Sequence, residues 1–248
     1  MTPHAPEFAI AFDVPTLDAA LALDAKLGEG PEYAKLGLEL FTAAGPEALK
    51  ALKARGRRVF LDLKLHDIPN TVKGAAAAAA RLGADLLTVH ATGGAAMVAA
   101  AVEGIREVGG STRVVAVTLL TSLEPAAMPP GFVKPFDLHA VAAALTADAV
   151  AAGALGVVCS PADLAGIRAH LQRDFYAVTP GIRMAGGDTH DQKRVATVES
   201  ATRDGASLLV LGRAITAAAD PRAALIAARA ERDRVVGARA RAPGEVRA

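Results

Sequence analysis

The chain is predicted to fold as a single (β/α)8, or TIM, barrel of the α/β class. Three observations lead there. Eight short β-rich runs alternate with alanine-rich helical stretches along the 248 residues, which matches such a barrel in both count and length. The runs are continuously apolar, as expected of strands covered by helices on their outer side. The first strand-to-helix turn, Asp13-Val14-Pro15-Thr16, has no glycine, whereas the alternative doubly wound open sheet normally carries a Gly-rich turn there.

The elements follow in order. Strand 8–14 leads through Thr16, a helix-capping residue type, into helix 17–27. Strand 33–38 precedes a helix at 47–55, opened by Pro46 and followed by Gly56. Strand 59–65 is followed by Asn70 and Thr71 and an alanine run that stops at Gly83. Strand 85–90 precedes helix 95–108, bracketed by Gly94 and Gly109. Strand 113–119 is followed by helix 136–152, closing at Gly153. After strand 155–159, Pro161 opens helix 162–171. Strand 175–179 precedes helix 193–204, which ends at Gly205. Strand 207–211 precedes a last helix from Pro221 to about Val236. No linker or composition break divides residues 1–248, so one domain is expected, with a basic tail fraying from about residue 237 as a solvated terminus. Two long connections, 121–135 and 180–191, follow strands and so lie on the C-terminal face, where barrel active sites sit. The second contains three glycines and is a lid candidate.

Composition excludes several function classes. Lys and Arg total 27 against 26 Asp and Glu, so the chain lacks the basic excess of a general nucleic-acid binder. Aromatic residues are 4%, with no Trp, which argues against base-stacking platforms. The single cysteine, Cys159, excludes an intrachain disulfide framework and suits a reducing cytoplasm. Apolar stretches fall short of the ~20 residues of a bilayer span, and the N-terminus lacks the pattern of a secretory signal.

The most informative stretch is Asp62-Leu63-Lys64-Leu65-His66-Asp67. Period-2 alternation puts Asp62 and Lys64 on the lumen face of the third strand, and Leu61, Leu63 and Leu65 on the other. Inward charges are costly unless paired. A structural salt bridge is the bland explanation, but Asp67 follows at the strand-to-helix turn. Asp13 ends the first strand and Lys35 lies in the second, so alternating charges gather at one mouth. Gly212 and Arg213 follow the eighth strand, where barrels commonly hold phosphate on backbone N–H groups at a helix start. Arg183, after the seventh strand, supplies a second guanidinium. His66 is read as packing, His90 as support for the mouth and Cys159 as an inert buried thiol. Asp188, His190 and Asp191 are read as a solvated lid rather than a metal cluster.

The segments AFDVP, AKLGLELF, LDLKLHDIPNTV, TVHATGG, VTLLTS, VTPGIR, DQKRVAT and LGRAIT, in this order, resemble the bacterial-type orotidine 5′-phosphate decarboxylase family over about residues 8–225. The resemblance implies a cofactor-free, metal-free, cytoplasmic homodimer that converts orotidine 5′-monophosphate to UMP and carbon dioxide in de novo pyrimidine synthesis. It implies Lys64 as the lysine that protonates C6, with Asp62 beside the substrate carboxylate and Lys35 and Asp13 at the ribose. Asp67, with Ile68 and Thr71, is implied to reach the partner subunit's site. Thr121 and Ser122 border the pyrimidine, without the match settling which touches the base. Arg183, Gln192, Gly212 and Arg213 are implied around the phosphate.

The chemistry fits these residue types. Loss of carbon dioxide leaves a C6 carbanion that the ring does not delocalise, and no cofactor motif supplies an electron sink. Fixed charge must then stabilise it, and an ammonium supplies charge and proton together. Two other readings remain open. One is a related sugar-phosphate barrel, such as the Mg2+-dependent keto-gulonate phosphate decarboxylases or the aldol-type synthases. The other is a non-catalytic nucleotide-sensing barrel.

Overall fold

The computed structural model describes residues 5–121, 123, 137–171, 174–184 and 196–241. The element order is β1 (Glu7–Ala11), α1 (Leu17–Leu27), β2 (Tyr33–Gly37), α2 (Leu38–Ala54), β3 (Arg58–Leu65), α3 (Pro69–Arg81), β4 (Leu86–His90), a 3-10 turn (Ala91–Gly93), α4 (Ala95–Glu107) and β5 (Arg113–Val117). It continues with α5 (Leu138–Ala151), β6 (Gly156–Val158), α6 (Pro161–His170), β7 (Tyr176–Thr179), β8 (Ile182–Arg183), β9 (Ala196–Thr197), α7 (Val198–Arg203), β10 (Leu208–Leu211), α8 (Arg213–Thr216) and α9 (Pro221–Arg241). Eight strands close a parallel barrel in the order β1-β10-β7-β6-β5-β4-β3-β2. This is the expected (β/α)8 architecture. Strands β8 and β9 form a separate two-stranded pair.

Local chemistry sets the helix ends. Thr16 Oγ1 accepts the Ala19 N–H at the start of α1, and Ser160 Oγ accepts that of Asp163 at the start of α6. Asp137 Oδ1 accepts from His139 and Ala140, so α5 starts at Leu138; residue 136, where the helix was expected to begin, lies outside the described residues. Several expectations are corrected. Helix α2 is two helical segments joined at Gly45 (φ 56°, ψ −149°), with the expected one starting at Pro46 and an unexpected one running from Leu38. Residues 196–197 form β9 before a short α7, where one helix was expected from 193. Helix α9 continues to Arg241, past the expected end at Val236, and so the chain is helical where fraying was expected to begin.

Two apolar layers divide the strand side chains. Phe8, Ile10, Phe12, Ala34, Leu36, Val59, Leu61, Leu87 and Val89 pack with helix residues in the outer core. Ala9, Tyr33, Phe60, Leu86, Val115, Val158, Val178, Leu208 and Val210 form a second cluster made of strand residues, which fills the lumen. At the N-terminal end of the lumen, Arg58 is paired with Glu7 and lies 4.1 Å over the Tyr33 ring, while the Tyr176 hydroxyl donates to Glu7 at 3.3 Å. Burial, then the neighbouring Tyr33 and Glu7, push the Tyr176 hydroxyl far above its ordinary pKa, so it remains a donor. That end is closed by polar side chains, and what lies above the lumen layer toward the strand C-termini is the other mouth.

Candidate active site

On β2, β3 and β4 the residue two beyond the lumen residue is polar. Tyr33 leads to Lys35, Phe60 to Asp62, and Leu86 to Thr88 and His90. The β1–β2 register sets Ala11 beside Lys35, and the β2–β3 register sets Gly37 beside Asp62. Asp13, Lys35, Asp62 and Lys64 therefore converge. Lys35 Nζ donates to Asp13 Oδ1 at 2.9 Å and lies 3.6 Å from Asp62 Oδ2. Lys64 Nζ donates to the same Asp62 oxygen at 2.8 Å. The result is a chain of alternating charge, Asp13–Lys35–Asp62–Lys64, graded from an exposed Asp13 to a buried Asp62. Burial pushes the Asp62 carboxyl up, but the Lys35 and Lys64 ammonium groups, with hydrogen bonds from Lys64 and Thr88, outweigh it and hold the group below its ordinary pKa.

The strand carrying Asp62 and Lys64 is not the regular one that alternation predicts. Leu61 pairs with Leu87, but Leu65 pairs with Val89, so β3 bulges between them. Lys64 has φ 50°, the one non-glycine positive φ among the described residues. A left-handed conformation in a non-glycine side chain is sparsely populated and clusters at functional sites. The bulge keeps Asp62 and Lys64 together, as expected, by a backbone route that side-chain periodicity does not reveal. Leu63 and Leu65 pack on the outer core, also as expected.

The other expected site residues are placed as follows. Asp67 is exposed at the turn after β3, where its Oδ1 accepts the Ile68 N–H at 2.6 Å. Ile68 is 67% exposed, and Thr71 is exposed in the first turn of α3. These three stand outside the charged chain. Thr121 is half-buried beyond β5. Arg183 is buried in β8, which packs against β10, and donates to the Ile182 carbonyl at 3.1 Å. Gly212 caps α8 and lies beside Ala11, two residues before Asp13, with Arg213 exposed in the first turn. The Gly212–Arg213 pair thus sits one strand from the charged chain, through the β1–β10 pairing. Ser122, Gln192 and the lid residues Asp188, His190 and Asp191 lie outside the described residues.

Sequence reasoning overlooked two residues. Thr88, fully buried in β4, donates its hydroxyl to Asp62 Oδ1 at 3.0 Å and accepts the Lys64 N–H at 2.7 Å. Two steps after Leu86 on the lumen face, it was reachable by the alternation used for Asp62. Gly37 leaves the space that the Asp13–Lys35 pair fills, since a Cβ there would stand 2.8 Å from Asp13 Oδ1. His90 and His66 pack ring to ring at 5.1 Å, His90 half-buried and His66 exposed. Cys159 is buried. Among the described residues, no three His, Cys, Asp or Glu side chains converge to hold a metal ion, and no helix is long and apolar enough to cross a membrane.

Comparison with known proteins bears on what this arrangement does. The family model described as orotidine 5′-phosphate decarboxylase / HUMPS family matches residues 6–228. The orotidine 5′-phosphate decarboxylase of Cutibacterium acnes is 48% identical over 220 residues, 89% of this chain and 93% of that protein. The one from Anaeromyxobacter sp. strain K is 50% identical over 86% of this chain and 92% of its own length. Among solved structures, the orotidine 5′-phosphate decarboxylase of Lactobacillus acidophilus superposes with a TM-score of 0.81 at 35% identity, covering 93% of this chain and all of that one.

Proposed function

The chain belongs to the orotidine 5′-phosphate decarboxylase / HUMPS family and carries that decarboxylase activity in pyrimidine biosynthesis; from this premise we propose that the Asp13–Lys35–Asp62–Lys64 chain is its catalytic apparatus and Lys64 its proton donor. The observation that carries the reading is the convergence of two ammonium groups on one buried carboxylate at the C-terminal mouth of the barrel.

The substrate is orotidine 5′-monophosphate. Its C6–carboxylate bond breaks, the electron pair stays on C6, and carbon dioxide leaves. A proton passes from the Lys64 ammonium to C6, giving UMP and a neutral amine that regains its proton from solvent. Asp62 keeps the Lys64 ammonium 2.8 Å from its carboxylate and so aimed before reaction. A preorganised charge of this kind needs no reorganisation as the carbanion forms. Asp62 also presents negative charge to the substrate carboxylate, which leaves as a neutral molecule. Lys35 and Asp13 hold the ribose, and Thr121 or Ser122 borders the base. Arg183, Gln192 and the Gly212–Arg213 turn hold the phosphate. Binding energy from that remote group is then available to stabilise the transition state.

We place the activity in one barrel spanning the chain, requiring no cofactor or metal, and working as a cytoplasmic homodimer without nucleic-acid or membrane partners. Asp67, Ile68 and Thr71 project from the mouth, and exposed Leu38 follows the neighbouring strand β2, so polar and apolar groups stand ready for a partner subunit. In that dimer Asp67 completes the site of the other subunit. The test is to incubate the purified chain with orotidine 5′-monophosphate and follow its absorbance and the release of carbon dioxide, with and without EDTA. Turnover indifferent to EDTA is expected. Turnover abolished by EDTA points to the metal-dependent sugar-phosphate relatives, and nucleotide binding without turnover points to a sensor.

A further inference from the structure

The bulge in β3 leaves a backbone problem that one side chain resolves. Leu61 and Leu65 are in register with Leu87 and Val89, so Thr88 alone stands opposite the displaced residues between them. Lys64, in its left-handed conformation, donates its N–H to the Thr88 hydroxyl at 2.7 Å. Thr88 is fully buried, so solvent does not substitute for that acceptor. A threonine hydroxyl has one proton and two lone pairs. With a lone pair on the Lys64 N–H at 2.7 Å, its proton goes to Asp62 Oδ1 at 3.0 Å. The other oxygen of that carboxylate receives the Lys64 ammonium. One hydroxyl therefore closes a loop that runs from the Lys64 backbone through Thr88 and Asp62 to the Lys64 side chain.

We propose that Thr88 is a positioning residue for the decarboxylation, its buried hydroxyl fixing the Lys64 backbone and the Asp62 carboxylate as a single unit. The inference rests on the reading of Lys64 as proton donor. Its basis is geometric. The Lys64 side chain has many rotatable bonds, and its tip is aimed only if both its root and its carboxylate partner are fixed. Thr88 touches both. Nothing in the hydroxyl needs to meet the nucleotide, so its effect is expected on the chemical step and not on binding.

The experiment compares Thr88→Val, Thr88→Ser and Lys64→Ala with the parent enzyme, and adds the Lys64→Ala/Thr88→Val double variant. Valine keeps the shape and removes donor and acceptor together. Misplacement of a reacting group by about 1 Å costs roughly 10²-fold, so kcat of Thr88→Val is expected to fall on that order with KM little changed. Serine restores the hydroxyl and is expected to recover most of the loss. In the Lys64→Ala background the valine substitution is expected to add much less than its own loss, because the ammonium it aims is gone and only the Asp62 carboxylate is left to position. A residue that only supports the fold would lower thermal stability and multiply the same loss onto Lys64→Ala. The proposal is overturned if Thr88→Val turns over like the parent, if serine does no better than valine, or if the losses multiply. Should the valine variant not fold, Thr88→Ala takes its place in the same comparisons. Parent-like turnover by Lys64→Ala is a different result, one that rejects the proton-donor reading itself.

Discussion

Replacing Gly37 by alanine probes the geometry of the charged chain without deleting any charge. Gly37 has φ −93° and ψ −176°, extended values that alanine adopts without strain, so the perturbation is purely steric. The new Cβ would lie 2.8 Å from Asp13 Oδ1 and 3.0 Å from Lys35 Nζ, where ordinary contact begins at 3.4 Å. The pair must therefore yield by about half an ångström. Asp13 is 54% exposed in its side chain and turns toward solvent easily, so the stability cost is about 1 kcal/mol or less. Lys35 is 10% exposed and faces Asp62 at 3.6 Å, so its displacement is passed along the chain. With about 1 Å of misplacement worth roughly 10²-fold, half that distance predicts a loss of about 10-fold in kcat/KM, or about 1.4 kcal/mol. The assay is steady-state turnover of orotidine 5′-monophosphate beside a thermal melt. Unchanged kcat/KM in a normally folded Gly37→Ala enzyme would refute the claim that the Asp13–Lys35 spacing matters.

The remaining predictions concern the phosphate, the partner subunit and pH. Arg213→Ala is expected to weaken binding of the phosphorylated nucleotide by about 2 kcal/mol, the low end for a broken charged contact because the residue is exposed, and to leave nucleoside binding unchanged; calorimetry showing equal losses for both ligands contradicts its assignment to the phosphate. Mixing inactive Lys64→Ala and Asp67→Ala chains in equal amounts is expected to restore activity to about a quarter of the sites, because half the dimers are mixed and each has one intact composite site; no recovery after demonstrated subunit exchange contradicts the shared site. His90 is held below its ordinary pKa by burial first, then by His66 and Lys64, against an opposing Asp62. Its folded pKa lies below the unfolded value of about 6.5, so its contribution to stability is complete above that pH and declines as pH falls toward the folded pKa. Urea melts at about pH 7.5 and 5.5 should then show a smaller acid loss for His90→Gln than for the parent, and equal losses refute it.

The barrel was legible because its punctuation is local. Pro46, Pro161 and Pro221 occur at helix starts, glycines such as Gly83 and Gly205 follow helix ends, and continuous apolar runs mark buried strands. The helical segment from Leu38 was not legible, since Gly45 and Pro46 read as the start of a helix and concealed the turns before it. Strands β8 and β9 are two residues each, too short for any periodicity. In the candidate site, alternation was enough to bring Lys35, Asp62 and Lys64 to one mouth. It did not reveal the bulge, because a left-handed lysine has no local propensity behind it and is held by tertiary contacts with Thr88 and Asp62. Thr88 was passed over for a similar reason. A threonine in an apolar strand looks like an ordinary β-branched residue until its hydroxyl is seen between two functional groups.

In the function proposed above, Lys64 delivers the proton to C6 from a preorganised position. Its most direct test is single-turnover decarboxylation of enzyme-bound orotidine 5′-monophosphate by Lys64→Ala, with nucleotide binding and thermal stability measured on the same preparation. The variant is expected to fold, still bind the nucleotide, and decarboxylate at least ~10³-fold more slowly than the parent, in line with removal of one preorganised electrostatic group. A folded, nucleotide-bound Lys64→Ala enzyme turning over at a near-parental rate would contradict it.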